Sequence, residues 1–115
     1  LLTAGANVNA KDEHGLAPLH RSAQGGYVKV SQMLVERGGD VNVVSDKLRF
    51  TPLHWAAHNG HVAMCQMLGG AGADAHARNR NGATPLDIAR QKDHGGVVEL
   101  LQKESEPLTK SAAQG

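Results

Sequence analysis

Three histidines crowd into one short stretch, FTPLHWAAHNGH (Phe50–His61), which also holds the chain's only tryptophan. His54 and His58 stand four residues apart, so on a helix their imidazoles would share a face, and His61 follows three residues later. Imidazole is both a common metal ligand and a proton carrier near neutral pH, so either chemistry has to be weighed. A zinc site needs a third or fourth convergent ligand. The one thiol on offer, Cys65, sits between Met64 and Met67 in a segment that reads as packing. A nucleophilic thiol would further require a base and an orienting group. No Ser-His-Asp set, no paired carboxylates and no phosphate loop of the form G-x-x-x-x-G-K-[ST] stands out. These residue types therefore predict no catalytic residue, no metal and no cofactor.

Bulk properties narrow the function classes further. The chain has 115 residues, with 12 Lys+Arg against 11 Asp+Glu, a formal net charge of +1. So even a balance gives no electrostatic reason to expect nucleic acid or an anionic membrane as partner. No apolar run approaches the roughly 18 residues of a membrane span, and no charged region followed by an apolar one marks a secretory signal. With a single cysteine, no internal disulfide framework exists, which predicts a reducing, intracellular setting in cytoplasm or nucleus. Aromatic residues make up 3% of the chain, which suits thin layers of short helices better than one thick core.

The histidine-rich stretch turns out to be one copy of a repeat. APLHRSAQGG (Ala17–Gly26), TPLHWAAHNG (Thr51–Gly60) and TPLDIARQKD (Thr84–Asp93) align, with Pro18, Pro52 and Pro85 spaced by 34 and 33 residues. VSQMLVERGGDVN (Val30–Asn42) and MCQMLGGAGADAH (Met64–His76) continue the register. Each unit reads as helix, tight turn, helix, loop. Thr51 is a good N-cap, and Pro52 at the first helical position loses nothing by lacking an N–H. The first helix stops near Asn59-Gly60; the second runs from about Val62 to Leu68, and Gly72 ends it in a left-handed conformation. In the preceding unit the second helix is expected from about Val28 to Arg37, with Gly38 in the role of Gly72. Neither helix buries its apolar stripe alone, so units must stack to share a core.

These motifs resemble the ankyrin-repeat family. The likeness rests on Gly15–His20, Thr51–His61 and Gly82–Ala89, and on GANVNA (Gly5–Ala10) with GADAHA (Gly72–Ala77). It covers about residues 1–104. It implies an all-α solenoid of stacked antiparallel helix pairs with β-turn fingers, a concave groove, and binding of other proteins without catalysis. The expected organisation is the end of a truncated repeat over 1–10, repeats over 11–45 and 46–78, a capping repeat over 79–104 and a disordered tail over 105–115. The opening Leu1-Leu2 would be the end of a second helix, so further repeats or domains are expected to flank the chain. A cap face carrying Glu99, Gln102, Lys103 and Glu104 fits a polar end. Asp87 replaces the histidine in that unit, and Asp93 its turn glycine.

The resemblance also sorts the histidines. His54 shares its position with His20, and a position copied from unit to unit argues for architecture, the ring bonding near the helix start and to adjoining backbone. His61 stands where Tyr27 and His94 stand elsewhere, leaving His58 at a variable groove position. Three irregularities should loosen the scaffold. Ala17 lacks the capping hydroxyl, which costs about 1 kcal/mol. Gly69 and Gly70 cost roughly 1 kcal/mol each against alanine, so that helix should end early. One residue is inserted around Val43–Ser45, and Arg49 replaces a turn glycine, so that finger should be distorted.

Recognition is then expected at the positions that vary. Arg21, Trp55 and Ile88 follow the Leu-His (or Leu-Asp) pair and face the groove in the family's geometry, and Trp and Arg are enriched among binding hot spots. Leu16, Phe50 and Ala83 stand two residues before the proline. Trp55 either points into the groove or packs between neighbouring first helices; Phe50 is expected to be exposed, with Leu16 and Leu48 nearby. Gln24, His58, Asn59 and Gln91 on the helices and Arg49 on a finger complete the partner-binding set. The resemblance further implies asparagine hydroxylation at Asn9 and Asn42, each with a leucine eight residues earlier. The competing reading is a structural spacer whose groove binds nothing.

Overall fold

The computed structural model describes residues 7–105. Within them the chain forms α1 (Pro18–Gly25), α2 (Val28–Glu36), α3 (Pro52–His58), α4 (Val62–Gly70), α5 (Pro85–Gln91) and α6 (Gly95–Ser105). No β-strand occurs among the described residues, so the fold is an all-α solenoid. The expected ends at 1–6 and 106–115 lie outside the described residues.

Local chemistry explains where the short helices start. Pro18, Pro52 and Pro85 open α1, α3 and α5. Thr51 Oγ1 accepts the His54 N–H at 3.2 Å, and Thr84 Oγ1 accepts that of Asp87 at 3.2 Å. Ala17 holds nearly the same backbone angles (φ −81°, ψ 163° against −88° and 168° at Thr51) but offers no side-chain acceptor. The turn between paired helices needs a left-handed residue, with Gly26 and Gly60 at φ 73°. A Cβ at Gly60 would also fall 2.7 Å from the His94 ring, so backbone and neighbour both demand glycine there. In the last unit Asp93 takes the left-handed conformation at φ 58°.

Packing follows the repeat. In one layer α1 lies on α3 and α3 on α5; in the other α2 lies on α4 and α4 on α6. The shared core is made of Leu19, Ala23, Leu34, Leu53, Ala56, Ala57, Met64, Leu68, Ala89, Val97 and Leu101. The alanines let helices approach closely, while each buried leucine contributes about 2 kcal/mol of apolar burial.

Two expectations change. The helix through Gly69 and Gly70 does not end early: α4 continues to Gly70, and Leu68 beneath it is fully buried. Tertiary packing there outweighs the poor propensity of glycine. The extra residue also sits further along than Val43–Ser45. Fingers one and three close with Asp12 N–H to Leu16 O (2.8 Å) and Asn79 N–H to Ala83 O (2.9 Å), whereas finger two closes with Ser45 N–H to Phe50 O (2.9 Å). The insertion therefore falls between Ser45 and Phe50, at the tip of the finger. Arg49, in that tip, is held at φ 56° where Gly15 and Gly82 have 75° and 79°. A non-glycine residue in that region carries roughly 1 kcal/mol of strain.

Candidate functional site

The rings of His20, His54, His61 and His94 are engaged by the backbone, whereas that of His58 is not. His54 Nδ1 accepts the Thr51 N–H at 3.0 Å, so the proton resides on Nε2, which donates to Ala83 O at 2.9 Å. His20 Nδ1 likewise accepts the Ala17 N–H at 2.9 Å, and its Nε2 lies 2.9 Å from both Val43 O and Phe50 O. Each ring thus caps its own helix and clamps the finger of the next unit. Burial pushes both imidazoles below the ordinary histidine range, against the opposing pull of the carbonyls they donate to. Asp87 keeps only the first half of this arrangement, its carboxylate accepting the Thr84 N–H at 3.0 Å. That hydrogen bond is the main cause holding the Asp87 carboxyl low.

His61 and His94 stitch units together from the other side, with Nε2 2.9 Å from Gln24 O and 3.0 Å from His58 O. His58 itself is half-buried, its Nδ1 3.1 Å from Asn59 Oδ1. Among the described residues, no group of three or more His, Cys, Asp or Glu side chains is placed to hold a metal ion. Cys65 is fully buried in the core.

Phe50 is placed differently from expectation. It is 8% exposed, with its ring centroid 4.6 Å from that of Trp55, 5.3 Å from His54 and 6.4 Å from His58. The reason is the pinned backbone: Ser45 holds both its N–H (to Ser45 Oγ, 3.0 Å) and its carbonyl, and His20 reaches the same carbonyl. The ring is left to fold back over α3. Trp55 takes an intermediate place, half-buried against the core. Its Nε1–H is shielded from solvent and meets no hydrogen-bond acceptor.

The other predicted positions divide between scaffold and surface. Gln24 is half-buried, and its carbonyl accepts from Asn59 Nδ2 at 3.0 Å, so Asn59 bridges units although it is exposed. Asn9 and Asn42 are latches of the same kind. Asn42 Oδ1 accepts the Asp74 N–H at 2.7 Å, as Asn9 Oδ1 accepts that of Asp40 at 2.7 Å. Leu16 is half-buried and Gln91 exposed. Arg21 is exposed but tied to Asp12, with Nη2 2.9 Å and Nε 3.2 Å from the same carboxylate oxygen. Asp12 in turn organises finger one, and its carboxyl is lowered to about 2, chiefly by the Leu16 N–H and then by Arg21. Leu48, 45% exposed, and Arg49 stand at the tip of finger two.

The fingers are joined into one edge by Asp46 N–H to Gly15 O (3.1 Å) and Arg80 N–H to Leu48 O (2.9 Å). Of the residues expected to bind a partner, Leu48 and Arg49 lie in this edge, and Arg21, Trp55, His58 and Gln91 lie on α1, α3 and α5.

A second surface was not singled out by residue type. Pro18, Arg21, Tyr27, Val30, Met33 and Arg37 line a cleft of about 670 Å³ at the α1–α2 end. Val30 there is 45% exposed, whereas its counterparts Met64 and Val97, one and two units on, are fully buried. Comparing these three positions along the repeat is the signal that finds it.

Comparison with known proteins agrees with this architecture. The family model for ankyrin repeats (three copies) matches residues 1–79 and 44–111. An ankyrin repeat-containing protein of Schizosaccharomyces pombe is 43% identical over 42 residues, 36% of this chain and 20% of that protein. Two ankyrin repeat and KH domain-containing proteins, mask of Drosophila melanogaster and protein 1 of Homo sapiens, are each 45% identical over 42 residues. That again covers 36% of this chain, but 1% and 2% of theirs, so the chain spans a small part of the relatives it matches. Stacked helix pairs, histidine clamps between units and the matched repeat model agree: the chain belongs to the ankyrin-repeat family.

Proposed function

We propose that this chain is a rigid, non-catalytic protein-binding module that takes its partner along the fingers and the layer of α1, α3 and α5. The observation that carries the reading is the fusion of three fingers into one hydrogen-bonded edge, with Leu48 and Arg49 exposed at its centre. Such a surface is pre-organised, so a partner loses less entropy than it would in ordering a loop. Trp55 supplies an apolar wall and Arg21 and Gln91 flank it. Phe50 supports Trp55 from beneath and makes no direct contact. The cleft at the α1–α2 end has the composition of a face between units, which favours a further helix pair stacking there. An intracellular setting is part of this proposal, since a single cysteine allows no internal disulfide. Among the described residues no helix is long and apolar enough to cross a membrane.

Selection of a random dodecamer peptide library on the immobilised chain, followed by amide chemical-shift mapping with an enriched peptide, tests this reading. Perturbations should cluster on the fingers and on α1, α3 and α5. Shifts confined to α2, α4 and α6, or no enrichment at all, would favour the spacer reading instead. Hydroxylation of Asn9 and Asn42 belongs to the same proposal, and it would strike the two latches between units. Treatment with an asparagine hydroxylase that leaves both residues without added oxygen by mass spectrometry removes that part.

A further inference from the structure

Charge is distributed unevenly over the fingers although the chain as a whole is nearly neutral. Among the described residues the ion pairs are Lys11–Asp46 at 2.8 Å and Arg21–Asp12 at 2.9 Å, both spanning or abutting finger one. Asp46 is the carboxylate of finger two, and it is drawn away toward Lys11. Lys47, Arg49, Arg78 and Arg80, all exposed, are left on fingers two and three with no carboxylate of the described residues within ion-pair distance, although Asp87 attracts Arg78 from further off. They are neighbours in space, since Arg80 donates its N–H to Leu48 O at 2.9 Å and an Nη1–H to Lys47 O at 3.4 Å. Arg78 uses one Nη1–H on Gly82 O at 3.0 Å. Each guanidinium has five donors, so most of theirs remain available.

The backbone adds a second, independent observation. Arg49 occupies the left-handed position filled by glycine in the fingers on either side, in a tip one residue longer than theirs. A strained conformation held where glycine would be free of strain points to use of the side chain. Exposed Leu48 lies between Lys47 and Arg49 in that tip.

We propose that fingers two and three form a basic rim that receives an acidic segment of a partner protein, with one apolar side chain of that segment seated on Leu48. Carboxylates fit the guanidinium forks and the lysine, and the rim governs which segments are accepted. The inference rests on the protein-binding reading above and names the chemistry of its partner.

The same dodecamer selection tests it. Enriched peptides should carry a net negative charge and at least one Leu, Ile or Phe. Binding of a synthetic enriched peptide should weaken about tenfold on raising the ionic strength from about 50 to 300 mM. It should weaken at least about tenfold in Lys47→Glu/Arg80→Glu and severalfold in Arg49→Gly, whose backbone is relieved and whose fold is kept. Lys47→Gln/Arg80→Gln serves in place of the double reversal if circular dichroism shows that variant to be misfolded. A neutral or basic pool, charge variants that bind like the parent, or a dodecamer of oligouridine binding more tightly than the peptide would overturn the proposal. A neutral pool that still maps to the groove sinks this inference alone, whereas peptides mapping to α2, α4 and α6 sink the groove reading with it.

Discussion

Acidifying this protein should unfold it through His20 and His54. Both rings are fully buried, and both already accept a backbone N–H on Nδ1 at 2.9 and 3.0 Å. A second ring proton would face that N–H and place a charge in a desolvated site, which at His20 the attraction of Asp12 offsets only in part. Their folded pKa values are accordingly lowered from the ordinary 6.5, first by loss of solvation. The unfolded chain takes up these protons near pH 6.5 and the folded chain does so only at lower pH. Stability from the two rings is thus complete above about pH 6.5 and declines as pH falls toward the lowered values. Within that range each histidine removes about 1.4 kcal/mol per pH unit, so the pair removes at most about 2.7 kcal/mol per unit. With a urea m-value of about 1.5 kcal/mol/M, each ~1 kcal/mol lost in this way lowers the unfolding midpoint by about 0.7 M. Urea titrations followed by far-ultraviolet circular dichroism at several pH values measure this directly. His54→Asp, which copies the Thr84–Asp87 cap, should be less stable throughout yet show about half the pH slope. Stability that stays level between pH 7 and 5, or falls only where carboxylates titrate, would refute the reasoning. So would a slope that His54→Asp leaves unchanged.

Two substitutions probe the scaffold irregularities. Ala17→Thr should stabilise by about 1 kcal/mol, because the backbone angles at Ala17 already match those at Thr51 and Thr84; a lowered melting temperature would count against it. Arg49→Gly should be neutral to stabilising by up to about 1 kcal/mol, relief of left-handed strain being offset in part by glycine's greater unfolded-state entropy. A clear loss of stability there would mean that the Arg49 side chain holds finger two together.

Much of this architecture is legible in the sequence because its signals are local. A Thr-Pro pair carries its own cap and first-turn geometry, and a turn glycine answers a backbone angle at that same residue. Copying at a period near 33 then turns weak local signals into a firm register, and it correctly assigns His54 to the scaffold by comparison with His20. Other features depend on residues far apart along the chain. Phe50 is buried because Ser45 and His20 pin its backbone, and His20 lies 30 residues away. Whether Asp46 neutralises its own finger is decided by Lys11, 35 residues earlier. The reach of Asn42 to the Asp74 amide is likewise a matter of stacking.

What the sequence by itself determines here is the repeat: its helix starts, its turns, its stacking logic and the neutral architectural role of its histidines. The helix starts and turns are set by bonds within a few residues, and repetition extends their register to the stacking and to the histidines, whose Nε2 atoms reach carbonyls of a neighbouring unit. Only the tertiary structure decides which side chains face a partner, since exposure depends on how neighbouring units close over one another. That closure draws Phe50 inward, engages Asp46 elsewhere, and leaves Leu48 and the basic residues of two fingers outside.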